Sequence, residues 1–249
     1  MNDVLFYEMK KGTSNKQIIF FPYLGGTVSS FHNLISKLDM DVSIWCANPP
    51  GHGNSKRDLV EDIDIVADMY FEELKNIMMP ECTYFGHSLG GIVAYYVAHR
   101  TMNSKEHAGK LKSLILSACD APNTMRHKKT SELRDDKLLE LIVSYGAMPK
   151  EIIQEKSLIE FFLPIFRADY KILESAAAKE PIIPLDVSAF LLWGENDPEQ
   201  PVNPLPKWLP YLRNGAEVFV IEKGEHLFIN SHPAEVSECI RKILYGLQN

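Results

Sequence analysis

Short apolar runs alternate with longer amphipathic segments along most of the chain. Residues 17–21 (QIIFF) are stopped by Pro22, and residues 42–47 (VSIWCA) by Asn48-Pro49-Pro50. Residues 82–85, 111–118, 189–193 and 217–221 repeat the pattern. Runs apolar at consecutive positions predict strands buried on both faces, as in a mainly parallel sheet. Helical spacing fits residues 63–78, 89–101 and 233–247. The last segment places Val236, Ile240, Ile243, Leu244 and Leu247 on one face, with Pro233 in its first turn. Strands alternating with helices predict a doubly wound α/β fold.

One stretch breaks the alternation. Residues 125–183 contain no convincing strand. Within them, SELRDDKLLELIVSYG puts Leu138, Leu141, Ile142 and Tyr145 on one helical face, with Gly146 as its stop. A second segment, SLIEFFLPIFRADYKILESAAA, is denser in aromatics, and Pro164 predicts a break or kink there. The expected organisation is a core of residues 1–124 and 184–249, with 125–183 as a helical insertion whose apolar faces need the core to cover them.

Composition narrows the function. Lys and Arg number 26 against 33 Asp and Glu, a net charge of −7, which disfavours a nucleic-acid binder. No run approaches the ~18 apolar residues of a membrane span. The start, MNDVLFYEMKKG, lacks the basic-then-apolar pattern of a signal peptide. Cys46, Cys82, Cys119 and Cys239 are widely spaced, with no C-x-x-C. Free buried thiols are expected, with no disulfide or zinc site, in a soluble cytoplasmic protein.

Gly86-His87-Ser88-Leu89-Gly90 matches G-x-S-x-G between a predicted strand and a predicted helix. That context makes a nucleophile elbow. A sharp turn lifts the serine oxygen above the sheet, next to the free N–H groups of a helix start, and small residues on either side let strand and helix approach. A serine hydroxyl needs a base, and on this architecture the order is Ser, then acid, then His. Among eight histidines, only His226 and His232 lie well downstream of a candidate acid. His226, in the loop before the last helix, is the expected base, while His232 suits a capping or surface role. His87 is expected to point away from the serine. The acid is expected in GENDPEQ, where Asp197 sits in a turn just past the strand and Glu195 is the alternative. An oxyanion hole needs two aimed N–H donors. Leu89 supplies one. The glycine-containing loop PYLGG, after the first predicted strand, supplies the other from Leu24 or Tyr23.

Four stretches together resemble the type II thioesterases, the stand-alone editing thioesterases of nonribosomal peptide and polyketide synthesis. They are FFPYLGG, YFGHSLGG, the insertion pieces LRDDKLLELIVSYGAMPKEI and FFLPIFRADYKILE, and LLWGENDP through GEHLFI. The resemblance implies an α/β-hydrolase fold with a mainly parallel sheet and a mobile helical lid. It implies Ser88, Asp197 and His226 as triad, with Leu24 and Leu89 as oxyanion donors. No metal or cofactor is implied. The implied substrate is an acyl thioester on the phosphopantetheine arm of a carrier protein, which is the expected partner; a monomer is the default. The family usually has P-H-A-G-G where this chain has Pro22-Tyr23-Leu24-Gly25-Gly26, and Y-P-G-R where it has Pro49-Pro50-Gly51-His52. Phe161, Phe162, Ile165 and Phe166 are apolar enough to roof an acyl chamber or simply to face the sheet. The basic cluster Arg126–Lys129 suits an acidic partner or a solvated loop. Arg167 and Asp169 match a family motif and suggest an ion pair or lid anchor. A general carboxylesterase and a non-catalytic carrier-binding module are the alternative functions.

Overall fold

The computed structural model describes residues 4–125, 129–144, 155–179 and 183–246. Seven strands form one sheet in the order β1-β3-β2-β4-β5-β6-β7. They are β1 (Phe6–Lys10), β2 (Lys16–Phe21), β3 (Ser43–Ala47), β4 (Glu81–His87), β5 (Leu111–Ser117), β6 (Ser188–Gly194) and β7 (Glu217–Ile221). Every neighbouring pair is parallel except β1 with β3. The edge strand β1 was not anticipated. Its sequence, FYEMK, is mixed and partly exposed, so it lacks the continuous apolar run that marks the other strands.

The helices are α1 (His32–Ile35), α2 (Ile63–Leu74), α3 (Leu89–Asn103), α4 (Asp135–Ser144), α5 (Lys156–Ala178), α6 (Leu205–Trp208), α7 (Phe228–Ser231) and α8 (Pro233–Tyr245). Consecutive strand residues feed two different cores. Ile19, Phe21 and Tyr84 join the core under α2, α3 and α5. Ile18, Phe20 and Phe85 join the one under α1, α7 and α8. Burial on both faces is why these strands carry apolar residues at consecutive positions.

Two helices depart from the expected bounds for visible reasons. α2 stops at Leu74, a turn short of Met78. Beyond it, the Ile77 carbonyl accepts from Gln17 Nε2 at 3.0 Å and the Met79 amide donates to Gln17 Oε1 at 2.9 Å, so this buried glutamine takes over groups a longer helix would have paired. Of the break or kink expected at Pro164, the break does not occur: α5 runs on through it. Pro164 and Glu160, whose carbonyl the proline cannot bond, are both exposed, so water can serve that carbonyl. At the other end, Gly246 closes α8 in the left-handed conformation (φ 63°).

Between β5 and β6 the described residues contain no named strand, only helices and turns. α5 lies across α2 and α3, with Tyr96 donating to the Ala176 carbonyl at 2.9 Å and the Ile63 amide to Ser175 Oγ at 2.9 Å. Arg167 ties α5 to the start of α4: it donates to the Ser131 and Leu133 carbonyls and pairs with Asp135 at 2.7 Å. Tyr145 and Gly146, and most of the basic cluster (Arg126, His127, Lys128), lie outside the described residues. Lys129 pairs with Glu132 at 3.0 Å.

Phe85 is fully buried, with ring centroids 5.0 Å from Phe20 and 5.9 Å from Phe31. Phe85→Ala is expected to cost about 3–5 kcal/mol, read as a lower urea midpoint at unchanged slope. A loss under about 1 kcal/mol would contradict this packing.

Candidate active site

Ser88 stands between the end of β4 and the start of α3, at φ 54° and ψ −122°. An L-residue rarely adopts a positive φ, and its cost is accepted only where packing over-determines it. That packing is visible. A Cβ on Gly90 would lie 2.0 Å from the Phe21 carbonyl oxygen, and one on Gly86 would lie 2.1 Å from the Gly90 carbonyl oxygen. A Cβ on Gly91 would run into Cys119, with Sγ at 2.6 Å. Strand and helix therefore touch backbone to backbone, and the chain turns sharply at Ser88. The Ser88 side chain caps nothing, which leaves Oγ available.

Ser88 Oγ lies 2.9 Å from His226 Nε2, and His226 Nδ1 lies 2.9 Å from Asp197 Oδ2. Asp197 is buried, and its Oδ1 accepts from the Glu199 amide at 2.9 Å. With the carboxylate as acceptor, Nδ1 carries the proton and Nε2 is free to accept from the serine. Glu195, the alternative acid, is exposed and accepts instead from the Lys223 amide at 2.9 Å. His232 sits at the mouth of α8 and contacts Ser231 Oγ at 2.8 Å.

His87 points to the far side of the turn. It is fully buried, with Nδ1 2.9 Å from Ser117 Oγ and Nε2 2.9 Å from the His226 carbonyl. A carbonyl only accepts, so Nε2 donates and Ser117 serves Nδ1. Burial first, and the charge of His226 second, hold its pKa well below the usual histidine value. His87 is thus a neutral strut under the backbone of His226.

Leu24 and Leu89 line the same cleft as Ser88. Leu89 is the first residue of α3, where an N–H has no partner within the helix. The loop after β2 turns at Gly25 (φ 71°), and the Gly26 amide closes it on the Tyr23 carbonyl at 2.7 Å. The cleft measures ≈ 970 Å³ with its open mouth included. Tyr23, Leu24, Ile92, Cys119 and Leu173 supply apolar walls, and Asp120, Glu199 and Gln200 supply polar ones. Burial, then Asp120, push the Cys119 thiol well above its usual range, so it is a wall and not a second nucleophile.

Of the two readings of the phenylalanine cluster, the roof of the cleft is not the one seen. α5 contributes Tyr170 and Leu173 to the cleft, whereas Phe161, Phe162, Ile165 and Phe166 do not line it. Phe161 is exposed, and Phe166 is pressed against Gly25. Tyr23 and Leu24, the two departures in the first loop, both line the cleft. All four cysteines are free, and no group of three or more metal-type ligands occurs among the described residues. No described helix is long and apolar enough to cross a membrane.

Comparison with known families places this geometry. The model of the thioesterase domain matches residues 16–244. The chain belongs to the thioesterase domain family. This thioesterase-family chain is 25% identical over 231 residues to a probable anguibactin biosynthesis thioesterase of Vibrio anguillarum, covering 90% of both chains. It is 24% identical over 230 residues to a probable cadicidin biosynthesis thioesterase of Streptomyces griseus, covering 92% of this chain and 62% of that one. Among solved structures, a type II thioesterase from the yersiniabactin pathway superposes with a TM-score of 0.86 at 22% identity, covering 98% of this chain and 99% of that one. The shared architecture is the α/β-hydrolase fold.

Gly90→Ala should destabilise this thioesterase fold by at least about 2 kcal/mol, because the neighbours of the new methyl are backbone atoms that cannot rotate away. Thermal melting checks it; an unchanged midpoint would mean that strand and helix do not approach as described.

Proposed function

We propose that the chain is an editing thioesterase that hydrolyses acyl thioesters from the phosphopantetheine arm of carrier proteins in nonribosomal peptide or polyketide synthesis. The hydrogen-bonded line from Ser88 through His226 to Asp197, on the floor of a largely apolar cleft, carries the reading. Membership of the thioesterase family and relatives named as probable anguibactin and cadicidin biosynthesis thioesterases support the substrate class.

The chemistry follows from the donor set. Ser88 Oγ attacks the thioester carbonyl while His226 Nε2 takes its proton. Asp197 holds the imidazole in the right tautomer and stabilises the imidazolium without itself taking the proton. The Leu24 and Leu89 amides receive the negative oxygen of the tetrahedral intermediate. The C–S bond breaks, the thiol leaves with the proton held on His226, and the acyl group remains on Ser88. Water, deprotonated by His226, then attacks the acyl-serine; the acid departs and Ser88 regains its proton. The chain's own groups handle each proton and charge in this sequence. Residues 125–183 act as a helical lid, with Tyr170 and Leu173 facing the bound acyl group. Four free thiols suit a reducing cytoplasm.

A panel of carrier proteins loaded with short, long, linear and aminoacyl groups tests the proposal. Wild type is expected to release acids from loaded carriers faster than from simple oxygen esters. Ser88→Ala should fall to background. Asp197→Asn should fold normally and lose about 10⁴-fold in kcat. Indifference to every thioester load, with esters cleaved readily, would replace this reading with a general esterase.

A further inference from the structure

The triad and the two amides leave one buried charged pair without a role. His52, in the loop after β3, and Asp169, on α5, are both almost wholly buried and touch at 3.1 Å (Nε2 to Oδ2). The same Asp169 Oδ2 accepts from the Gly25 amide at 2.7 Å. We propose that His52 and Asp169 form a positioning clamp that holds the loop of residues 23–26 so that the Leu24 amide stays aimed at the reacting oxygen. The proposal rests on the assignment of Leu24 as an oxyanion donor.

The geometry fixes the protonation. His52 Nδ1 lies 2.9 Å from the Pro50 carbonyl and Nε2 faces the Asp169 carboxylate. Neither partner donates, so both ring nitrogens carry protons and His52 is an imidazolium. Gly25 is held on a second side by Phe166 of α5, since a Cβ there would lie 2.4 Å from the ring edge. The loop that presents Leu24 is thus anchored to the helix that covers the cleft. The anchor is one residue from the donor.

Other groups around the pair do not substitute for His52. A small cavity beside the pair is lined by Tyr23 from the loop, Tyr70 from α2 and Leu89 from α3, as well as by the pair itself. No Lys or Arg appears among the described residues lining it. Burial, then Asp169 and Glu73, raise the Tyr70 hydroxyl, so it stays neutral. Glu73 lies behind Tyr70, paired with Arg57 at 2.9 Å. Burial lowers the His52 pKa, but the charge and hydrogen bond of Asp169 and the Pro50 carbonyl outweigh it and leave it raised. A raised folded-state value means the clamp is fully formed below the ordinary histidine pKa of about 6.5 and is lost as pH rises through the raised value.

The test uses the full chain, with fluorophosphonate labelling of Ser88 and thioester hydrolysis as separate readouts. Both need the oxyanion hole, but only the second needs the proposed substrate. His52→Gln and Asp169→Asn, shown to be folded by circular dichroism, are expected to slow labelling and lower kcat about tenfold or more, with KM little changed. Outright loss of one donor, 10²–10³-fold, sets the upper limit. Wild-type kcat should decline at alkaline pH, and the decline should be absent from Asp169→Asn. Folded variants that label and turn over at wild-type rates overturn the clamp and leave the thioesterase reading intact. Slowed labelling in a protein that cleaves no thioester does the reverse. If the variants do not fold, the wild-type profile decides: kcat level up to the onset of unfolding overturns the clamp, and an earlier alkaline decline supports it.

Discussion

The backbone of α3 rests directly on the end of β2. Gly90 leaves no room for a methyl against the carbonyls of Phe21 and Pro22, and Gly86 leaves none against Gly90. This contact forces the turn at Ser88 into a conformation that a serine would not choose. It does a second thing as well. Phe21 and Pro22 lead straight into the loop of residues 23–26, so the contact that raises the serine also sets that loop beside the first turn of α3. Ser88 and the proposed oxyanion donors are placed by one close approach, and His226 and Asp197 are then brought in from the ends of β7 and β6.

Two histidines near this centre differ in charge, and their partners explain why. His87 meets a hydroxyl and a carbonyl, so one nitrogen donates and the other accepts, and burial keeps it neutral. His52 meets a carbonyl and a carboxylate, so both nitrogens donate. Sequence position does not distinguish these cases; the acceptor count does. The neutral ring supports the backbone of His226 without adding a positive charge beside it.

Much of the frame is legible in the sequence. Five of the six apolar runs lie inside the sheet, where burial on both faces removes the polar alternation that could confuse the reading; the sixth, β7, is a partly exposed edge strand that still carries an apolar run. β1 escapes notice because its sequence, FYEMK, mixes charged and apolar residues and carries no such run. Ser88, Asp197 and His226 are found by motif, turn and order, since strand-to-helix ends are where this architecture exposes side chains. Three features needed coordinates. The roof of the cleft depends on which side of α5 faces inward, and Tyr170 and Leu173, not the phenylalanine cluster, do so. Pro164 does not end its helix, because its orphaned carbonyl is at the surface. The His52–Asp169 pair joins residues 117 apart. Its traces in the sequence are the match of Asp169 to a family motif and its helical spacing with Ile165, Phe166 and Ile172, an acid on an apolar face; neither names His52 as its partner.

The central claim is that a single turn presents Ser88 Oγ to His226 on one side and to two amides on the other. A crystal structure of the fluorophosphonate adduct tests it most directly, because the tetrahedral phosphorus mimics the intermediate. The account predicts phosphorus bonded to Ser88 Oγ and one phosphoryl oxygen about 2.7–3.1 Å from both the Leu24 and Leu89 nitrogens. An adduct on another residue, or a phosphoryl oxygen turned to solvent away from those amides, would contradict it.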